Sequence, residues 1–387
     1  MNTTKRKAII KRVVKTVVIA IAVLIVAALL YVLYVTLNGG RIEDNLPIEI
    51  GRTEGAQADS TRLQTDEAYT VLTFNIGFGA YDHDFSFFMD KGIMADGTEK
   101  QGVLSRGADK AALERNTKTV TDEAAAENAD IMIFQEVDRK ADRSHGVDQA
   151  DHILKSFSGG LWYAYATNFH TGYLLYPPTK PIGAISDSGI LTLSNYEIRE
   201  AERRSLPITD AFPTKYFDLD RCLLISRMPV TDSDGNAAGE LVLANIHPSA
   251  YDEGGQIRAQ QMAVIKALMA DEYAKGHYVI IGGDFNHAFG GSNSMFMNEM
   301  KQPEWVQPFD NDMLPEHYSV VYADNLSEVG TCRDTSIPYT KGVNYEVVVD
   351  GFVVSDNISA TSKNIDEDYS GSDHNPVKLT FTLKGGE

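Results

Sequence analysis

The sequence predicts an α/β chain in which two mainly antiparallel sheets pack together with helices on their outer faces, preceded by one membrane-crossing helix. Two observations point to the sheets. Eight runs have the branched and aromatic composition of strands: Tyr69–Asn75, Ile131–Gln135, Ile190–Leu193, Cys222–Met228, Leu241–His247, Tyr278–Asp284, Tyr345–Val354 and Val377–Leu383. Helical periods alternate with these runs only early on, while strands dominate the middle and the end; this favours packed sheets over a doubly wound parallel sheet. The third observation is an uncharged N-terminal stretch, which sets the topology.

That stretch, "TVVIAIAVLIVAALLYVLYVTL" at Thr16–Leu37, carries no charge and exceeds the roughly 20 residues that cross a bilayer. Lys5, Arg6, Lys7, Lys11, Arg12 and Lys15 precede it without a single acid. The positive-inside rule therefore places residues 1–15 in the cytoplasm and everything after residue 37 outside, on a single-pass anchor in the cell membrane. The alternative is a cleaved secretory signal, which needs a shorter apolar run and a small-residue cleavage site. Residues 38–66 ("NGGRIED", "GRTEGAQADST") are polar and contain glycine, and read as a linker lifting a domain at 67–387 off the membrane.

Within that domain, Asp82–Lys110 is rich in glycine and charge and reads as a long loop inserted after the first strand. "ALERNTKTVTDEAAAENAD" and "QIRAQQMAVIKALMADEYAKG" read as helices. In the second, Ile257, Met262, Ile265 and Met269 repeat at helical spacing and Gly276 supplies a stop. With 387 residues, 43% hydrophobic and 23% charged, the chain can build a core and is not a disordered polymer. No internal repeat stands out. Cys222 and Cys332 form no zinc-spaced cluster and read as two thiols, with pairing left open.

Chemistry gathers at the strand ends. "TVLTFNI" contains Asn75, "DIMIFQEV" Glu136, "ELVLANIHP" Asn245 and His247, "HYVIIGGDFN" Asp284 and Asn286, "YEVVVDGFVVS" Asp350, and "SGSDHNPVKL" Asp373 and His374. Any one of these reads as a turn residue or a satisfied core group; six together would oblige a core to pair every buried polar atom. Hydrolysis of a phosphate ester needs such a set. Hard oxygen donors from Glu136, Asp373 and the Asn75 amide suit Mg²⁺ or Mn²⁺, an aspartate or histidine deprotonates water, and amide or imidazolium donors hold phosphoryl oxygens.

In their order and content, "TFNI", "FQEV", "NIHP", "GDFN", "VDGFVVS" and "SDHNPV" resemble the blocks of the endonuclease/exonuclease/phosphatase superfamily, which includes pancreatic-type DNases, abasic-site endonucleases, inositol polyphosphate phosphatases and bacterial sphingomyelinases. The likeness covers about Tyr69–Leu383, and "GDFN" followed by "SDH" is its most specific part. It implies a four-layer αββα sandwich with the site at one sheet edge. It further implies Glu136 as principal metal ligand with Asn75 and Asp373 on the metal side. Asp284 would align or deprotonate water, Asn286 would bind phosphate or metal, and His247 would contact phosphate or assist the leaving group. Asp350 would buttress His374, itself an acid/base or transition-state donor; whether Asp284 or His374 is the base stays open. The Asp82–Lys110 insertion and "GTCRD" depart from the family pattern. Arg333 within "GTCRD" either reaches a substrate phosphate or makes a structural salt bridge. Asn168 in "YATNFH" is a candidate for the site rim. Tyr173, Leu174, Leu175 and Tyr176, within Thr171–Gly189, form either a lipid-touching loop or a core-facing strand end.

The expected function is a membrane-anchored, Mg²⁺- or Mn²⁺-dependent phosphoester hydrolase acting outside the cytoplasm. Its partners would be a phosphoester and the membrane; no protein partner is implied. Six of the 35 bases precede Thr16 and all 54 acids follow it, so the remainder is more acidic than the −19 of the whole. That balance disfavours a nucleic-acid backbone and favours a lipid head group or small phosphoester, whereas the nucleases of the family favour nucleic acid. A non-catalytic surface binding module on the same fold is the alternative; loss of a block would support it, and none is lost.

Overall fold

The computed structural model describes residues 3–38, 41–55, 61–175, 185–209, 211, 215, 219–250 and 255–386. Helix α1 (Thr3–Asn38) takes in both the basic flank and the apolar run. Among the described residues it is the one helix long and apolar enough to cross a membrane, by length and composition.

The first sheet runs β1 (Leu46–Pro47), β10 (Glu200–Ser205), β11 (Cys222–Thr231), β12 (Ala237–Ile246), β13 (Tyr278–Asp284), β17 (Asp350–Ser355) and β14 (Tyr318–Val321), with β3 (Leu63–Gln64) beside β11. The second runs β18 (Ile358–Asn364), β19 (Val377–Leu383), β4 (Ala68–Asn75), β7 (Ile131–Asp138), β9 (Ser186–Ser194), β8 (Trp162–Thr171) and β2 (Ile50–Arg52). Pairing is mainly antiparallel. Each sheet holds a central parallel pair, β4 with β7 and β12 with β13. Parallel neighbours need a crossover, and here α2 (Lys110–Ala126) and α4 (Gln256–Ala274) supply it. Asp109 caps α2 by accepting from the Ala112 N–H at 2.8 Å. Gly276, at φ +79°, follows α4.

These central strands are apolar throughout because both of their faces are covered. Along β7, Ile131 and Ile133 face the other sheet, while Met132 and Phe134 face the helical layer of α2 and α3 (Gln149–Ser156). Along β13, Tyr278 and Ile280 face between the sheets, and Val279 and Ile281 face α4. The expected four-layer sandwich follows.

Three expectations are corrected. The described parts of the expected linker, residues 41–55 and 61–66, are not free. β1 and β3 lie on the first sheet and β2 on the second, so two- and three-residue pairings that carry no periodicity stitch the segment down. The Tyr345–Val354 run splits into β16 (Glu346–Val347) and β17; β16 leaves the sheet to pair with β15 (Cys332–Arg333). The Asp82–Lys110 insertion carries a hairpin of β5 (Lys91–Ile93) and β6 (Glu99–Gln101). Cys222 and Cys332 are buried free thiols, each pushed up to about 12 by burial.

Between the sheets, Asn245 Nδ2 donates to the carbonyls of Phe134 and Leu191, both at 3.1 Å, and its Oδ1 accepts from Gln135 Nε2 at 2.8 Å. Asn245→Leu would leave these groups buried and unpaired. We expect it to destabilise the domain on the order of 3 kcal/mol, read as a lower denaturation midpoint at unchanged slope; a loss within about 0.5 kcal/mol would show that the clamp is dispensable.

Candidate active site

Every polar strand end singled out in the sequence reaches the same end of the sandwich. Asn75, Glu136, His247 and Asp284 close or follow the C-terminal ends of β4, β7, β12 and β13, while Asp350 opens β17 and Asp373–His374 precede β19. Two local devices aim them. A bulge between Phe134 and Val137 breaks the β7–β9 register and turns Glu136 to φ +54°, redirecting its carboxylate out of the pleat. At "GGDFN", a Cβ on Gly282 would strike Phe352 and Ile133, and Gly283 sits at φ +142° with the Ile246 carbonyl 2.1 Å from where its Cβ would be. Only glycines let β13 approach this closely.

His374 Nδ1 donates to Asp350 Oδ2 at 2.8 Å, leaving Nε2 3.8 Å from Asp284 Oδ2. His247 Nε2 lies 3.4 Å from the same Asp284 oxygen and 4.0 Å from Glu136 Oε1. The Asn286 backbone N–H donates to Asp284 Oδ1 at 2.8 Å, and Asn286 Nδ2 donates to the Pro248 carbonyl at 2.9 Å. Asn75, expected as an oxygen ligand, presents its nitrogen instead: Nδ2 lies 3.1 Å from Asp284 Oδ2 and 3.5 Å from Glu136 Oε1, while Oδ1 accepts from the Gly77 N–H. In this arrangement it is a donor.

The environments drive the titratable groups apart. Burial works against charge on His374, yet the Asp350 carboxylate, with Cys332 and Asp373 adding to it, outweighs burial and holds the pKa well above the usual histidine range. His247 is pushed well below that range by burial, with the Arg221 charge adding to it. Burial and then Asp350 raise Asp284 to about 6. Desolvation raises Asp373 to about 7, with the charge of Glu136 adding to it.

One donor atom each from Asp284, Asp350 and His374 lies within 4.8 Å of the others. The His374–Asp350 hydrogen bond already occupies two of these groups, so they form a charge-relayed pair rather than an open cage. Glu136, with its side chain 26% exposed, and Asp373, partly exposed, are carboxyls whose side-chain hydrogen bonds among the described residues are long, from Asn75 at 3.5 Å and Ser372 at 3.4 Å. Two such carboxylates fit a hard divalent cation.

Arg333 makes no salt bridge among the described residues. Its Nη2 donates to the Tyr81 and Asp82 carbonyls at 3.2 and 3.0 Å, tying down the insertion. Asn168 lies buried at the β8 bulge, and its side chain makes no hydrogen bond among the described residues. Leu174 is buried and Leu175 exposed, and Tyr176 lies outside the described residues. Sequence reading missed Arg143. It binds Asp138 through Nε and Nη2 at 3.1 and 2.8 Å, lies 4.0 Å from the Phe78 ring centre, and adds positive potential at Glu136 and His247. Asp138, two residues beyond Glu136 on one strand, was the available signal. A cavity of about 1010 Å³ beside the site is lined by His287, Ala250, Arg258, Met262 and Trp305, and so touches the residue after Asn286.

The profile of the Endonuclease/Exonuclease/phosphatase family matches residues 72–374. The chain belongs to that family, whose members hydrolyse phosphoesters, typically with a divalent metal. No curated protein matches it. Among solved structures it is similar to an endonuclease/exonuclease/phosphatase from Beutenbergia cavernae (17% identity, TM-score 0.51, covering 82% of this chain and 72% of that one). It is also similar to truncated Caenorhabditis elegans TDP2 (16%, 0.48, 82% and 99%) and a family protein from Bacteroides thetaiotaomicron (15%, 0.48, 82% and 99%).

Raised carboxyl pKa values have a sign. Asp373, about 7 when folded against about 3.9 unfolded, contributes stability that is present below pH 4 and lost as pH rises through 7. Metal-free wild type should therefore lose more melting temperature between pH 5.5 and 8 than Asp373→Asn. Glu123, also raised to about 7 by burial, and His247, which acts oppositely, are common to both proteins and cancel in the difference. Parallel melting curves across this range would remove the assignment.

Proposed function

We propose that the chain is a membrane-anchored phosphodiesterase, using Mg²⁺ or Mn²⁺, whose catalytic domain faces away from the cytoplasm. The observation that carries the catalytic part is the convergence of two open carboxylates, Glu136 and Asp373, with the buried Asp350–His374 pair and Asp284. Glu136 and Asp373 would hold the ion, which when bound would neutralise charge developing on the phosphoryl oxygens. Asp284, with its pKa raised towards the working pH, takes a proton from water as the water oxygen attacks phosphorus. The P–O bond to the leaving group breaks and the leaving oxygen is reprotonated, so one water is consumed per ester cleaved. His374, kept cationic by Asp350, donates from Nε2 to a phosphoryl oxygen. Asn75 adds a second donor, His247 stands on the leaving-group side, and Asn286 fixes Asp284 through its backbone N–H. The cavity beside His287 accommodates substrate beyond the phosphate. The anchor and its orientation rest on α1 and the bases before Thr16.

With a soluble phosphodiester, EDTA should abolish turnover and Mg²⁺ restore it, and Glu136→Gln should raise the Mg²⁺ requirement at least about tenfold. Asp284→Asn and His374→Ala should each lower kcat by about 10²–10⁴, with the double variant close to the worse single because both serve one transition state. Turnover that survives EDTA, or fully additive losses, would contradict these roles.

Protease added to intact cells should digest the domain and leave a membrane stub. A domain that is protected until lysis would reverse the orientation, and domain released without protease would mean a cleaved signal.

A further inference from the structure

Outside α1, eight large apolar side chains are exposed among the described residues, and all eight lie in segments leaving the end of the sandwich that bears the site. Met89, Ile93 and Val103 belong to the insertion after β4, and Leu175 and Ile185 flank the β8–β9 connection. Met295 and Met297 follow β13, and Tyr322 follows β14, whose last residue, Val321, pairs with Phe352 two residues from Asp350. The insertion and the segment after β13 are one surface: Met94 bridges Met300, and the Lys301 N–H donates to the Ile93 carbonyl at 2.8 Å. Met297 is 96% exposed. The turns at the opposite end expose no large apolar side chain among the described residues. Monomeric soluble domains rarely gather exposed apolar groups on one side.

The apolar helix emerges at the same end. Tyr31 Oη donates to the Tyr173 carbonyl at 3.0 Å and accepts from the Leu175 N–H at 3.2 Å. Val35 is the one buried residue of α1. Arg41 Nη2 donates to the Thr209 carbonyl at 2.8 Å, and Arg41 pairs with Asp220 at 4.0 Å. The next residue, Arg221, donates to the His247 carbonyl at 3.0 Å. A hydrocarbon core of about 30 Å takes about 20 helical residues. If the core begins at Thr16 it ends near Val35, so Tyr34 sits at the far interface, where tyrosines prefer to sit, and Tyr31 lies about one helical turn below it. The loop bonded to Tyr31 is then drawn onto the lipid interface, at or just below head-group depth.

We infer that the site-bearing end of the sandwich lies against the bilayer its own helix spans, so that the cleft takes phosphodiester head groups of lipids in that same membrane. The inference rests on the anchored phosphodiesterase reading above. It specifies which surface meets the membrane and therefore the substrate class. In the reaction, water adds to phosphorus, one P–O ester bond breaks, and the released oxygen takes up a proton.

The test uses full-length protein in phosphatidylcholine/phosphatidylglycerol nanodiscs, carrying single nitroxide labels at Leu24→Cys, Val103→Cys, Met297→Cys or Ser233→Cys. Ser233 lies on the opposite, β11–β12 turn. Labels at 103 and 297 should be relaxed more by oxygen than by a water-soluble nickel chelate, and the label at 233 should show the reverse. Labels at 103 and 297 as wet as 233, with 24 in lipid, would overturn the inference; a wet label at 24 would remove the anchor and the inference with it. In parallel, Val103→Glu/Met297→Glu should lower phosphate-ester release from the nanodisc lipids at least tenfold while leaving hydrolysis of bis(4-nitrophenyl) phosphate unchanged. Equal lipid turnover by the variant overturns the docking surface, and wild type that cleaves only the soluble diester overturns the lipid substrate. Wild type that cleaves neither refutes the phosphodiesterase reading instead, and the depth measurements still decide which face meets the membrane.

Discussion

The side chain of Asn245 reaches from one sheet into the other and fills the gap that the β7 bulge opens. Its amide donates to the carbonyls of Phe134 and Leu191, the last β7–β9 pair before the register break, and accepts from Gln135 inside it. Gln135 in turn shares hydrogen bonds with Thr73 on β4. Without these partners the bulge would bury unpaired backbone groups, and a regular β7 would send Glu136 back into the pleat. The same contact fixes where the two sheets meet, and so whether residues from β4, β7, β13 and β17 coincide. The position of the carboxylate cluster is thus a consequence of one buried amide.

What that placement creates is a set of groups that would not keep ordinary protonation in isolation. Two histidines within reach of one aspartate oxygen are driven in opposite directions, His374 towards its cation by Asp350 and His247 towards neutrality by burial and Arg221. Opposed shifts within one cluster mark acid and base roles more sharply than any single shift. The cost is desolvated carboxylates at Asp284 and Asp373, and the apolar layers on both faces of the central strands supply the stability that offsets it.

The central strands were legible because burial on both faces makes them apolar from end to end; Tyr278–Asp284 and Val377–Leu383 appear with the expected bounds. The outer strands were not. β10 reads "EAERRS" and β18 "ISATSKN", each with one wet face, and they are strands because they pair with β11 and β19. The residues of the site could be named from strand ends, but their orientation could not. The nitrogen-inward Asn75 depends on a Gly77 N–H that takes its oxygen, and the bulge under Glu136 leaves no mark in composition. Arg333 and Arg143 look alike in sequence; which of them faces backbone carbonyls and which lies beneath Glu136 is settled only by the insertion folding back across the cleft.

The segment joining α1 to the sandwich has a mechanical side. Asp44 accepts from the Ser205 N–H, the Glu43 carbonyl accepts from Arg203, β1 extends one sheet and β2 the other. Residues 41–55 are sewn to both sheets and behave as a bracket, not a rope. Tyr31, bonded to the Tyr173 carbonyl and the Leu175 N–H, is a second fastening, and tilting α1 against the sandwich would first require breaking those bonds. Reorientation of the cleft is thereby coupled to rotation of the helix itself.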